Sequence, residues 1–157
     1  MPLVNTTYML WSMNFESQAG YLPAGVHQMT LSEVGDAFAW NARRRLLFSG
    51  FVRAVRQLAG AGCRAVVLDG SYVTNKENPG DWDAAFDPSG VNPDLIDEVL
   101  LRHRDGRKAM KAKYLGELFP WSWTASNSSG EQFREFFSSD RQGHPKGLVQ
   151  INLKVMQ

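Results

Sequence analysis

Ala65-Val66-Val67-Leu68-Asp69-Gly70-Ser71 and, nine residues later, Asp81-Trp82-Asp83-Ala84-Ala85-Phe86 form the stretch whose reading decides the fold. Residues 65–68 are a short apolar run following Gly60 and Gly62, the pattern of a buried strand. Gly70 can turn the backbone sharply and lets a phosphate approach with no side chain in the way. Ser71 adds a hydroxyl and a backbone N–H. After a polar loop, residues 81–86 alternate: Asp81, Asp83 and Ala85 face one way, and Trp82, Ala84 and Phe86 the other. One face of this strand is expected to pack. The other begins with two carboxylates about 6.5–7 Å apart along the strand, close enough for their side chains to converge. Two like charges held together call for a cation. Magnesium takes hard oxygen ligands and commonly binds one or two carboxylates together with substrate phosphates.

Working outward, Thr30 and Glu33 match a capping box that opens a helix with Leu31, Val34 and Phe38 on one face. Asn41 is expected to cap a longer helix to about Ala61, with Leu46, Leu47, Phe51, Val55 and Leu58 at helical spacing and Gly60 and Gly62 at its end. Arg43, Arg44 and Arg45 fall in its first turn, where the helix dipole disfavours cations. A solvated face is the plainer reading, and recruitment of a phosphate or partner the other. Downstream, Asn92-Pro93-Asp94 reads as the start of a helix carrying Leu95, Ile96, Val99 and Leu100 and ending near residues 103–106. Residues 108–113 are basic and read as a short helix or loop. A strand is expected within residues 114–121, a loop at 125–130, a short helix at 132–137 and a closing strand at 147–153. Residues 1–29 read as an irregular extension with, at most, a short strand near residues 8–11. The whole, residues 1–157, reads as one α/β domain of α+β type: a small mixed β-sheet flanked by helices.

Leu68-Asp69-Gly70-Ser71 followed by Asp81-Trp82-Asp83 resembles the Gly-Ser…Asp-x-Asp signature of the DNA polymerase beta-like nucleotidyltransferase superfamily, and within it the small prokaryotic minimal nucleotidyltransferases. The motif covers about 15 residues, and the order of elements extends the likeness over residues 41–120. The resemblance implies the nucleotidyltransferase fold and transfer of a nucleoside monophosphate from a nucleoside triphosphate, such as ATP, to an acceptor hydroxyl. It implies that Gly70 and Ser71 hold phosphates and that Asp81 and Asp83 bind magnesium, with manganese as an alternative. The family usually adds a third carboxylate from a later strand. Glu117 is the first choice, as a metal ligand or general base, ahead of Asp140 and Asp69. Small members of the family often serve in toxin–antitoxin or phage-defence systems. The partners so implied are a triphosphate and a toxin or antitoxin protein or a tRNA, with a homo-oligomer as a further possibility. A non-catalytic, antitoxin-like interaction module on the same fold is the alternative.

Among the remaining residues, Lys76 lies between the motif halves and Lys146 before the closing strand, each a candidate phosphate contact. A solvated loop is the competing reading for Lys76. Trp121 and Trp123 suit a base or partner, with core or rim packing as the commoner use. His103-Arg104-Asp105 spells the kinase catalytic-loop tripeptide. Met110, however, stands where that loop needs Asn, and no glycine-rich kinase loop is present. His27, His103 and His144 lack metal-ligand spacing. Cys63, the only cysteine, reads as a small buried residue and fits a reducing, cytoplasmic setting. The composition is that of a globular chain, 43% hydrophobic and 21% charged. A formal net charge of +1 supplies no global field for nucleic acid or membrane. No targeting signal and no apolar run of membrane-spanning length is visible.

Overall fold

A computed structural model describes residues 20–122, 142–143 and 145–156. Strand β1 (Gly25–Gln28) is followed by helix α1 (Leu31–Phe38), helix α2 (Ala42–Gly60), strand β2 (Ala65–Asp69), strand β3 (Trp82–Phe86), helix α3 (Lys108–Tyr114), strand β4 (Gly116–Pro120) and strand β5 (Gly147–Asn152). The strands form one mixed sheet in the order β1-β5-β2-β3-β4. Its two outer pairs, β1 with β5 and β3 with β4, are parallel. The two inner pairs, β2 with β5 and β2 with β3, are antiparallel. The expected α/β class, with a small mixed sheet and flanking helices, is therefore what the chain forms.

Local chemistry explains the helices. Thr30 accepts from the Glu33 N–H while the Glu33 carboxylate accepts from the Thr30 N–H, completing the capping box of α1. Asn41 caps α2 by accepting from the Arg44 N–H. Leu47, Phe51, Val55 and Leu58 of α2 join Val66, Leu68, Trp82, Ala84 and Phe86 of the sheet in one buried cluster. Leu46, expected on this face, points outward and is exposed. The helix crossing depends on Gly50, because a Cβ there would lie 2.0 Å from the Tyr114 carbonyl oxygen. That same carbonyl accepts from Trp82 Nε1 at 2.8 Å. Val67, Ala85 and Leu148 form a smaller cluster on the other side of the sheet, with Trp121 packed against it. Rim packing is thus the structural role of Trp121.

Two expectations need correction. Residues 92–103 do not form a helix. They make two short 3-10 turns, Pro93–Leu95 and Glu98–Leu101. The Asn92 side chain accepts from the Asp94 N–H and Asp97 from the Val99 N–H, so local side-chain bonds displace the helical ladder. Ile96 and Leu100 are buried, whereas Leu95 is exposed. The extension 1–29 is not wholly irregular, since β1 lies within it. This edge strand shows little alternation, being mostly exposed, and its backbone pairing with β5 holds it in the sheet. Expectations for residues 8–11, 125–130 and 132–137, and for Trp123, Asp140 and His144, fall outside the described residues.

Candidate metal centre

Strand register assembles the acidic cluster. Asp83 sits opposite Asp69 of β2 on one side and opposite Glu117 of β4 on the other. Directly opposed residues share a face of the sheet, and Asp81 lies two positions before Asp83 on that same face. One carboxylate oxygen each from Asp81, Asp83 and Glu117 lies within 4.8 Å of the others. The structure thus brings together the three carboxylates singled out from sequence. Three hard oxygen donors at this separation suit magnesium or manganese.

The electrostatics of the cluster are those of a site short of cations. Burial pushes the Asp83 carboxyl up to about 7, and the neighbouring Asp81, Glu117 and Asp69 add to the effect. Burial and then Glu117 raise Asp81, opposed by Lys111, Arg43 and Lys76. Asp69 does not join the triad. Lys146 Nζ donates to its Oδ2 at 3.1 Å, and its buried Oδ1 has no hydrogen-bond partner among the described residues. Glu117 accepts from Arg107 Nε at 2.9 Å and from Lys111 Nζ at 2.6 Å. A ligand already held by two basic side chains is oriented before any metal arrives.

Gly70 makes the sharp turn expected of it, for a reason the sequence does not show. Its φ is +75°, and a Cβ there would lie 2.3 Å from Asp83 Oδ2. The residue lets the turn press directly against the acidic cluster. Beside the turn opens a cavity of about 470 Å³ lined by Tyr21, Gly70, Ser71, Thr74, Asn75, Lys76 and Lys146. Ser71, Lys76 and Lys146, chosen from sequence as phosphate contacts, therefore meet in one place. Tyr21 comes from the extension, which is tied to the loop where the Asn75 N–H donates to the Gly20 carbonyl at 3.1 Å.

Sequence reasoning missed what holds this loop. Arg44 is fully buried and not solvated. Its guanidinium donates to the carbonyls of Phe38, Tyr72, Thr74 and Lys76 at 2.6–3.1 Å and lies over the rings of Trp40 and Tyr72. Arg43 Nε donates to the Pro79 carbonyl at 3.1 Å, and Asn41 Nδ2 to that of Glu77 at 2.7 Å. Arg45 is exposed, as a solvated first turn would have it. The first turn of α2 thus fixes the backbone between Ser71 and Asp81. A clue was available: three arginines where the helix dipole disfavours cations need partners.

His27 and His103 meet backbone carbonyls, those of Pro23 and Leu118. Burial holds the Cys63 thiol up at about 11, so it stays protonated.

Fold and site together define a mixed α/β domain whose sheet carries a cluster of three carboxylates, close enough to share one metal ion, beside a polar cavity. The chain matches the model of a family of unknown function, DUF6932, over residues 13–152, and it belongs to that family. No curated protein and no solved structure matches it. Among the described residues, no helix is long and apolar enough to cross a membrane.

Proposed function

We propose that the chain is a magnesium-dependent nucleotidyltransferase that moves a nucleoside monophosphate from a nucleoside triphosphate to an acceptor hydroxyl. The observation carrying this reading is the convergence of Asp81, Asp83 and Glu117 within 4.8 Å beside the Gly70–Ser71 turn and its cavity. The motif resemblance and the mixed sheet support a nucleotidyltransferase fold.

Asp81 and Asp83 would hold the divalent ion, with Glu117 completing the set. Such an ion neutralises charge on the phosphates and favours departure of pyrophosphate. Ser71, Lys76 and Lys146 would orient the triphosphate in the cavity, and Asp69 fixes the Lys146 ammonium at its wall. In the transfer, the acceptor oxygen bonds to the α-phosphorus, the bond from that phosphorus to the β-phosphate bridge breaks, and pyrophosphate leaves. The acceptor's proton passes to a carboxylate or to water. Most of the catalysis is then positioning and charge compensation, as in phosphoryl transfer generally. A reducing, cytoplasmic setting and a role in toxin–antitoxin or phage-defence systems go with this reading, with a toxin, an antitoxin or a tRNA as acceptor or partner.

Incubation with each labelled triphosphate, magnesium and a cell lysate is expected to transfer label in a manner abolished by Asp83→Asn. Transfer that survives in Asp83→Asn would contradict the metal role. Absence of binding and transfer with every triphosphate would favour a non-catalytic interaction module.

A further inference from the structure

Glu117 differs from Asp81 and Asp83 in that both of its carboxylate oxygens already carry a cation. Arg107 Nε donates to Oε2 at 2.9 Å and Lys111 Nζ to Oε1 at 2.6 Å. Magnesium lies about 2.1 Å from a carboxylate oxygen, so on either oxygen of Glu117 it would stand within about 5 Å of a bonded cation. Like charges that close repel strongly beside a largely buried carboxylate. Loading the centre therefore displaces one of the two.

They are not equally free to leave. Arg107 is built in. Its guanidinium lies 5.0 Å from the centroid of the Phe119 ring. Its backbone and that of Asp105 are held in the left-handed region, at φ 62° and 55°, a costly shape for residues that carry a side chain. Lys111 stands on α3 with its side chain 43% exposed, and Glu117 is its one ion-pair partner among the described residues. Its point charge rides on a flexible four-carbon stem, which regains rotamer freedom on release. The bond to Glu117 and then the charge of Asp81 hold its ammonium above the ordinary lysine value, and Lys111 is the first of the cations that oppose the rise of Asp81. In the metal-free centre, Lys111 thus serves as counter-ion to two of the three carboxylates.

We propose that Lys111 is the exchangeable counter-ion of the centre: a divalent cation enters by taking its place at Glu117, while Arg107 keeps that carboxylate in position. Lys111 then sets the cation specificity of the site. A sodium or potassium ion exchanged for the ammonium brings no added charge and gives up a charge-assisted hydrogen bond. A divalent ion brings one charge more than it displaces. This rests on the metal centre of the transferase reading and adds how that centre chooses its ion.

The test is calorimetric titration of manganese into the full chain at pH 8, with Lys111→Met and Lys111→Arg beside the parent. Methionine removes the charge and keeps much of the stem, whereas arginine keeps the charge and grips a carboxylate with a planar fork. Affinity is expected to rise about fivefold in Lys111→Met, the upper end for one partly exposed ion pair, and to stay at or below the parent in Lys111→Arg. Lys108 is exposed on the same helix and is not among the cations bonded to Glu117, so Lys108→Met is expected to match the parent. Replacing tetramethylammonium chloride with potassium chloride at equal ionic strength should weaken manganese binding in Lys111→Met and leave the parent unchanged. Circular dichroism checks that the variants are folded. A residue that merely orients Glu117 would give the reverse order, with binding weakened in Lys111→Met and restored in Lys111→Arg. That order, unchanged binding in Lys111→Met, equal gains in Lys108→Met and Lys111→Met, or potassium acting to the same extent on parent and Lys111→Met would overturn the exchange and leave the metal centre standing. Absence of manganese binding in the parent would overturn both. Because no transfer is read, failure of nucleotidyl transfer leaves this result standing.

Discussion

The guanidinium of Arg44 and the carboxylates around Asp83 bracket the same loop, yet their charges are buried on opposite terms. Arg44 has no acidic partner among the described residues, but backbone carbonyls saturate its donors and it lies over two aromatic rings. Nothing is left for a ligand to do. In the acidic cluster like charges face one another, Asp83 is raised to about 7, and a buried oxygen of Asp69 lacks a hydrogen-bond partner among the described residues. Arg107 and Lys111 reach only Glu117 of the three, so the cluster keeps the donors a cation could take. A buried charge with every bond satisfied is architecture, and a buried group left wanting a counter-charge is a candidate site.

The largest effect is expected at Arg44. Arg44→Ala strands several buried carbonyls at a cost of about 1–3 kcal/mol for each one left unsatisfied. We expect a loss of about 3 kcal/mol or more in urea unfolding, and with it the loop geometry. A loss under about 1 kcal/mol would deny Arg44 its structural role. Gly70→Ala comes next. It forces a non-glycine residue to φ +75° and drives a Cβ into the Asp83 carboxylate, so a loss of about 1–3 kcal/mol is expected. Divalent-metal affinity should fall with it, because Asp83 must move. Unchanged metal affinity in this variant would show that the turn does not buttress the cluster.

How far the sequence revealed this contrast follows from where its signals lie. Alternation around Trp82 was enough to place Asp81 and Asp83 together on the unpacked face. Glu117 was reachable because it falls on the next strand, although only the β3–β4 register sets it opposite Asp83. Arg44 was not legible as a buried residue. Its partners are carbonyls some thirty positions away, and a carbonyl carries no residue-type signature. The turns at 92–101 were misread for a related reason. Asp97 accepts from Lys113 and Tyr114 and caps Val99, and these bonds outweigh an apolar pattern that otherwise suits a helix.

Smaller effects are expected in the acidic cluster. The folded-state value of Asp83 is raised, so its contribution to metal-free stability is fully present below the ordinary 3.8 and is lost as pH rises through about 7. Metal binding needs the ionised form. Affinity for manganese should therefore climb between pH 5 and 7, by up to tenfold per unit, and level off above, with proton release on binding at pH 6 but not at pH 8.5. A flat affinity profile by calorimetry would contradict the raised value. Asp83→Asn relieves the repulsion, so in the presence of a chelator at pH 8 it should melt about 2–4 °C higher than the parent, the effect of about 1 kcal/mol in a domain of this size. The gain should shrink as pH falls toward 4. A lower melting temperature at pH 8 would mean that Asp83 is held by favourable contacts and not by mutual repulsion.

Whether Asp81, Asp83 and Glu117 form a metal centre can be read by titrating manganese into the full chain at pH 8 and following the free ion by electron paramagnetic resonance. A single saturable site is expected in the parent protein, lost in Asp81→Asn/Asp83→Asn and weakened in Glu117→Gln. Saturable binding that survives in the double variant, or none in the parent at millimolar manganese, would contradict such a centre.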